Sequence, residues 1–278
     1  MASRGWADMF ATAVAALAVL GACGPVTGQP AVERDLKVFR DMLSADAWAN
    51  PAHLDADRGE ALWKTARGPR GQSLEACDLG RGRGVVAGAS AELPRYFADA
   101  GRVMDLEARI IWCMTTLQGF NRAELVAAPY AAPGQPTKDI GAIATYVAAR
   151  SHGLALAPRH AHPRERQTRR LGEALYHRRQ GPLDFSCATC HSADGKRIRL
   201  QELAHLSKPE AARAVMGSWP AYRASTANTM TLQQRLYDCF WQMRLPEVEI
   251  GSPVPVALAA YLAGRAEGGI VSAPGLKR

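Results

Sequence analysis

Residues 187–191 read Cys-Ala-Thr-Cys-His, a C-x-x-C-H run. Thiols at this spacing can reach the two vinyl groups of one porphyrin, and the imidazole that follows falls beneath the iron, so the run is the attachment signature of a c-type haem. A thioredoxin-type redox pair or half of a zinc site would use the same thiols. Zinc needs two more clustered ligands, and the chain has no second C-x-x-C and no H-x-x-x-H. A redox pair would follow a strand, whereas Gly181-Pro182 turns the chain just before this run. The reading is one haem c held by Cys187 and Cys190, with His191 as proximal iron ligand.

Of six cysteines, Cys23 lies in an N-terminal segment with the pattern of an export signal: Arg4, then an apolar run from Met9 to Leu20. Leu20-Gly21-Ala22-Cys23 suits either ordinary signal cleavage or a lipobox with Cys23 lipidated, and both place the protein outside the cytoplasm, in the periplasm. Cys77, Cys113 and Cys239 remain, an odd number for an oxidising compartment.

Those three fall into a repeat. Gly59-Glu60-Ala61-Leu62-Trp63 returns as Gly172-Glu173-Ala174-Leu175-Tyr176, and Gly59 to Cys77 spans 18 positions, as does Gly172 to Cys190. Leu74 stands for the first haem cysteine and Asp78 for the histidine, so the first copy cannot hold a haem. Pro94 to Cys113 and Pro220 to Cys239 each span 19 positions. Each stretch has a tyrosine two residues after its proline (Tyr96, Tyr222) and an arginine four before its cysteine (Arg109, Arg235). The chain therefore reads as mainly α, with two tandem cytochrome c-like domains, the first without haem. Its parts are a signal at 1–23, the haem-less domain at 31–155, a His-, Pro- and Arg-rich linker at 156–170, and the haem domain at 171–278.

Helical apolar spacing marks 35–43, 171–178 and 230–245, and Pro246 is expected to end the last of these. Few alternating runs suggest strands. The linker histidines could bind a metal, but a solvated basic segment is the expectation. The formal charge of +8 suits an anionic substrate or an acidic partner, and no nucleic-acid motif accompanies it.

In a cytochrome fold the proximal and distal segments converge on one pocket. Cys77 and Cys113 should then meet as a disulfide, with two separate buried thiols as the alternative. Cys239 falls on the distal side of the haem, as a candidate sixth ligand against Met243 four residues on, with Met216, Met230, His177 and His205 behind them. Arg235 lies one helical turn before Cys239, placed to favour thiolate and to grip a sulfur oxyanion.

Ile111-Trp112-Cys113-Met114-Thr115-Thr116-Leu117-Gln118-Gly119, Leu93-Pro94-Arg95-Tyr96-Phe97, the single C-x-x-C-H and Arg235-x-x-x-Cys239 together resemble the SoxA family, the catalytic cytochrome subunits of sulfur oxidation. Many members carry two haems, and Leu74 with Asp78 sets this chain with the single-haem ones. The resemblance implies an L-cysteine S-thiosulfotransferase that joins thiosulfate oxidatively to a cysteine of a SoxYZ-type carrier. Its electrons pass through haem to a SoxX-type cytochrome partner. It also implies Cys239 as distal iron ligand and catalytic persulfide, and Arg235 as the thiosulfate-binding residue. The competing expectation is a periplasmic electron-carrier cytochrome with Met243 as ligand and no catalytic cysteine.

Overall fold

The structure, a computed structural model, describes residues 49–198 and 201–277, together with Val38. The signal segment, Cys23 and the helix expected at 35–43 lie outside the described residues, Val38 apart.

Two lobes repeat one plan. In the first, α1 (Ala52–Lys64) leads to a short 3-10 turn at Leu74–Ala76. A hairpin of β1 (Arg95–Phe97) and β2 (Arg102–Met104) follows, then α2 (Leu106–Cys113), α3 (Arg122–Ala127) and α4 (Asp139–Ala149). In the second, α5 (Pro163–His177) leads to α6 (Cys187–His191), a two-residue hairpin of β3 (Arg197–Ile198) and β4 (Gln201–Glu202), and α7 (Pro209–Met216). Then come β5 (Ala221–Arg223) paired antiparallel with β6 (Asn228–Met230), α8 (Leu232–Gln242), α9 (Pro253–Arg265) and β7 (Gly275–Lys277), which adds parallel to β5. The repeat extends to the caps: Asp105 accepts from Ala108 N before α2, and Thr231 accepts from Gln234 N before α8, each 11 positions after its proline. These short strands had no alternating signal, because three residues beside a turn are too few to show a period.

Each lobe is held by one close helix crossing. A Cβ on Gly59 of α1 would stand 2.1 Å from the Ala142 carbonyl oxygen of α4. On Gly172 of α5 it would stand 1.9 Å from that of Ala257 on α9. Only glycine permits this approach of backbone to backbone.

The segment read as a linker is built into the fold. His162 accepts from Arg164 N and Glu165 reaches back to His162 N, so α5 starts at Pro163 and takes in residues 163–170. The exposed face of that helix is basic, which hid its period. Upstream, residues 153–156 pair with 268–271 through Gly153 N to Val271 O at 2.8 Å and Leu156 N to Gly269 O at 2.7 Å. α8 also ends sooner than expected, at Gln242. Arg244 takes a left-handed φ of 58°, and Leu245 N donates to Phe240 O at 2.9 Å, a Schellman turn that closes the helix before Pro246 acts.

A buried polar contact crosses the seam between the lobes. Gln233 donates from Nε2 to Asp105 Oδ2 at 2.5 Å and from its backbone N to Glu107 Oε1 at 3.2 Å, while its Oε1 accepts from Gly251 N. Burial, with Glu107 beside it, pushes the Asp105 acid up to about 8 from an ordinary 3.8, and burial raises Glu107 too, so the pair retains a proton at neutral pH. A carboxyl raised in the folded state stabilises most below its unfolded value and loses that contribution as pH climbs through its folded value. Thermal melting should therefore fall between pH 5 and 9, and Asp105→Asn should flatten that slope. An unchanged slope in the variant would remove the pair as its cause.

Candidate functional site

The first lobe, read above as haem-less, closes on a disulfide. Cys77 and Cys113 are joined, and Leu74, Leu79, Met104, Ile110 and Met114 are buried in the same core. Closing a loop across 36 positions stabilises by roughly 3–4 kcal/mol in the chain-entropy picture. Arg109, the counterpart of Arg235, is 3% exposed, donates from Nε to the Asp78 carbonyl at 2.7 Å and lies over the Phe97 ring. Its charge is committed to structure.

The second lobe keeps a cavity. Ser186 caps α6, accepting from Thr189 N at 3.1 Å while Thr189 Oγ1 accepts from Ser186 N, which fixes the single turn carrying Cys187, Cys190 and His191. His191 Nδ1 lies 2.9 Å from the Ala204 carbonyl, which can only accept, so Nδ1 carries the proton and Nε2 keeps its lone pair for a metal. Burial, opposed by that hydrogen bond and aided by the charge of Arg235, lowers the His191 pKa and favours the neutral, ligating form. Tyr176 donates from its hydroxyl to the His191 carbonyl at 3.0 Å.

The cavity is mostly apolar, walled by Tyr176, Leu206, Trp219, Leu236, Leu258 and Leu262. Cys187, Cys190, His191, Arg235 and Cys239 all open onto it. α8 delivers the last two from one face. Among the described residues the three unbridged thiols are Cys187, Cys190 and Cys239. Arg235 sits 3.6 Å and Arg223 3.8 Å from the same Asp238 carboxylate. Both guanidiniums pull the Cys239 thiol toward ionisation, yet burial outweighs them and holds its pKa above the ordinary value. Arg235 thus acts in the direction its position implied, favouring the thiolate, while burial sets the net shift. Burial pushes Cys187 up to about 12. Neutral thiols suit a cavity of this polarity.

Of the rival ligands, Met243 and Met216 also line the cavity. Met230 is buried beside Arg223, His177 packs edge-on against Tyr176, and His205 lies 3.9 Å from Asp194, none of them on the cavity wall. His160 pairs with Glu267, and His162 caps α5 and stacks on Tyr96. Among the described residues no group of three or more His, Cys, Asp or Glu could hold a metal ion. The Ala204 carbonyl, Tyr176, Trp219 and Arg223 were not legible as site residues. A backbone acceptor leaves no trace in sequence, and the other three are brought in by folding.

The donor set fits a covalently held haem: two thiols, an imidazole with its tautomer fixed, and a mostly apolar cavity onto which Cys239 also opens. Fold and site define a c-type cytochrome of two tandem lobes. The profile of the SoxA/TsdA cytochrome c domain family matches residues 58–156 and 171–271, one stretch in each lobe. The chain is 46% identical to the L-cysteine S-thiosulfotransferase subunit SoxA of Hydrogenophilus thermoluteolus, over 87% of this chain and 88% of that one. It is 32% identical to a protein of the same name from Hydrogenobacter thermophilus, over 94% and 96%. The crystal structure of SoxXA from P. pantotrophus superposes with a TM-score of 0.70 at 25% identity, covering 86% of this chain and 83% of that one. The chain belongs to the SoxA/TsdA cytochrome c family.

Proposed function

We propose that the chain is the catalytic subunit of a periplasmic L-cysteine S-thiosulfotransferase that carries one haem c and works with a SoxX-type cytochrome. The observation that carries this reading is Cys239. It is an unbridged thiol that faces the haem-attachment thiols across one cavity, with Arg235 and Arg223 near it.

The overall reaction joins the outer sulfur of thiosulfate to a carrier cysteine, forming one S–S bond and releasing one proton and two electrons. Oxidised c-type cytochrome takes the electrons. Arg235 binds the sulfonate end of thiosulfate through its fork of donors and neutralises its charge. Cys239, carried as a persulfide, is joined to the outer sulfur of thiosulfate with loss of two electrons to the cytochrome, and the carrier thiolate then attacks that sulfur, taking the intact S–SO3 group and releasing the Cys239 persulfide. The haem, when bound, supplies a one-electron redox centre whose potential a thiolate ligand lowers. His191, held by Ala204, keeps its neutral ring presented, and the apolar wall excludes water.

The count of one haem rests on Leu74 and Asp78 and on the disulfide-closed first lobe. Periplasmic location is supported by the Cys77–Cys113 bridge and by the haem-attachment motif, both at home in an oxidising compartment. The excess of positive charge suits a small dianion and an acidic SoxYZ-type carrier.

The test incubates the haem-loaded protein, its cytochrome partner and a SoxYZ-type carrier with thiosulfate and an electron acceptor, and reads the carrier's intact mass. A reducible adduct of thiosulfate mass on the carrier cysteine is expected. A carrier left unmodified while the cytochrome still exchanges electrons would turn the reading to an electron carrier.

A further inference from the structure

α8 shows different residues to the two halves of the molecule. Leu232, Arg235, Leu236 and Cys239 line the cavity of the second lobe. Gln233 and Tyr237, one turn apart on another face, meet the first lobe instead. Gln233 is 0% exposed, and both ends of its side-chain amide are engaged. Nε2 donates to Asp105 Oδ2, and Oε1 accepts from Gly251 N at 2.7 Å. Its backbone N–H, one of the donors that a first helical turn leaves free, goes to Glu107 Oε1. At Tyr237 the ring centre lies 5.3 Å from that of Tyr130, in the segment between α3 and α4.

The contact is reciprocal within the repeat. Asp105 and Thr231, the caps of α2 and α8, each stand eight positions before their cysteine, and Glu107 and Gln233 each stand six before. Asp105 binds Gln233, and Glu107 takes a hydrogen bond from the Thr231 side chain. Two helix N-termini thus meet head to head, with carboxyl groups of the first lobe between them, where acceptors are favoured. At its other end α2 is fixed by the bridge from Cys113 to Cys77.

Directed hydrogen bonds set the rotation of a buried helix more sharply than apolar contacts, and breaking them strands buried donors and acceptors. Cys239 lies six residues beyond Gln233, about 9 Å along the same rod. Rotating a helix of about 5–6 Å outer radius by about 10° swings a side-chain tip by about 1 Å. A displacement of that size misplaces a reacting group.

We propose that Gln233, clasped by Asp105 and Glu107, is a positioning residue for Cys239, and that the haem-less lobe serves as the frame that sets the rotation of α8. Gln233 touches neither substrate nor cofactor and acts through the helix. This rests on the reading of Cys239 as the reacting sulfur and extends it to residues of the other lobe.

The test compares Gln233→Leu and Tyr130→Ala with Gly59→Ala, which loosens the first lobe away from the clasp, all as haem-loaded full-length protein. Three readouts are taken: the electron paramagnetic resonance of the ferric haem, kcat for transfer, and the rate of Cys239 alkylation followed by mass. Gln233→Leu should split or broaden the haem signal, lower kcat by at least about tenfold and speed alkylation by at least about tenfold. Tyr130→Ala should shift both rates in the same directions by about threefold, and Gly59→Ala should leave all three readouts at parental values. Parental values in Gln233→Leu overturn the proposal. So do equal changes in Gly59→Ala, because lost stability alone would then move Cys239. Should Gln233→Leu fail to fold, Tyr130→Ala against Gly59→Ala decides, and parental values in Tyr130→Ala overturn the clasp. If Cys239→Ser still transfers sulfur, the functional reading fails, while faster alkylation in Gln233→Leu alone would still show the clasp holding the helix.

Discussion

Replacing Cys239 with serine should leave the haem covalently attached and abolish sulfur transfer. Attachment depends on Cys187 and Cys190, which Ser186 and Thr189 position independently of α8. Transfer depends on a sulfur that can carry a second sulfur, which a hydroxyl cannot do. Loss of a nucleophile that forms the covalent intermediate costs orders of magnitude, so the transfer rate should fall by at least about a thousandfold. The measurement is single-turnover transfer to the carrier, beside the absorption spectrum and the intact mass. Full transfer by Cys239→Ser would remove the cysteine from the chemistry and leave Met243, on the same cavity wall, as the more natural iron ligand. The spectrum adds a separate readout, because exchanging a sulfur ligand for oxygen alters the haem bands even where activity is not assayed.

The second large effect lies away from the chemistry. Alanine normally stabilises a helix relative to glycine, by up to about 1 kcal/mol. At Gly172 the sign should reverse. The new methyl would meet the Ala257 carbonyl at 1.9 Å and Tyr261 Cβ at 2.9 Å, both on α9, and the backbone oxygen has nowhere to go. The two helices must part, at an expected cost of about 2–4 kcal/mol in chemical denaturation. Gly59→Ala should cost a similar amount, with Ala142 and Tyr146 as the obstruction. The two differ in their spectral consequence. Tyr176 and Tyr261, whose rings lie 5.1 Å apart, sit beside Gly172, and Tyr176 holds the His191 backbone, so only the Gly172 variant should disturb the haem bands. A stabilised Gly172→Ala would refute the crossing as drawn.

What the sequence revealed followed from covalent chemistry and spacing. The C-x-x-C-H run, the arginine one turn before Cys239 and the two copies are all countable, and the copies predicted that Cys77 and Cys113 converge. What it concealed followed from context. The helix at 163–177 is capped by a histidine and faces water with arginines, so apolar period began only at Leu171. The hairpins are too short for a pattern. Arg223 and Lys277 come together only because β7 returns beside β5, a pairing that joins residues 54 positions apart. The effect of burial on Cys239 also required the fold, since position on a helix shows the arginine but not the loss of water.

The bridge in the first lobe has a consequence for how the second is assembled. Cys77 corresponds to Cys190, and Cys113 to Cys239, so one ancestral arrangement serves as a covalent clasp in one half and as the two sides of a cofactor site in the other. Cys190 and Cys239 hold the corresponding positions in the second lobe as unbridged thiols, and the proposed periplasmic location would expose them to oxidation before porphyrin attachment. Oxidation and haem ligation therefore compete for the sulfur of Cys190. The order of delivery decides the outcome, and a chain that meets its oxidase before its haem lyase would close into a colourless twin of its own first half.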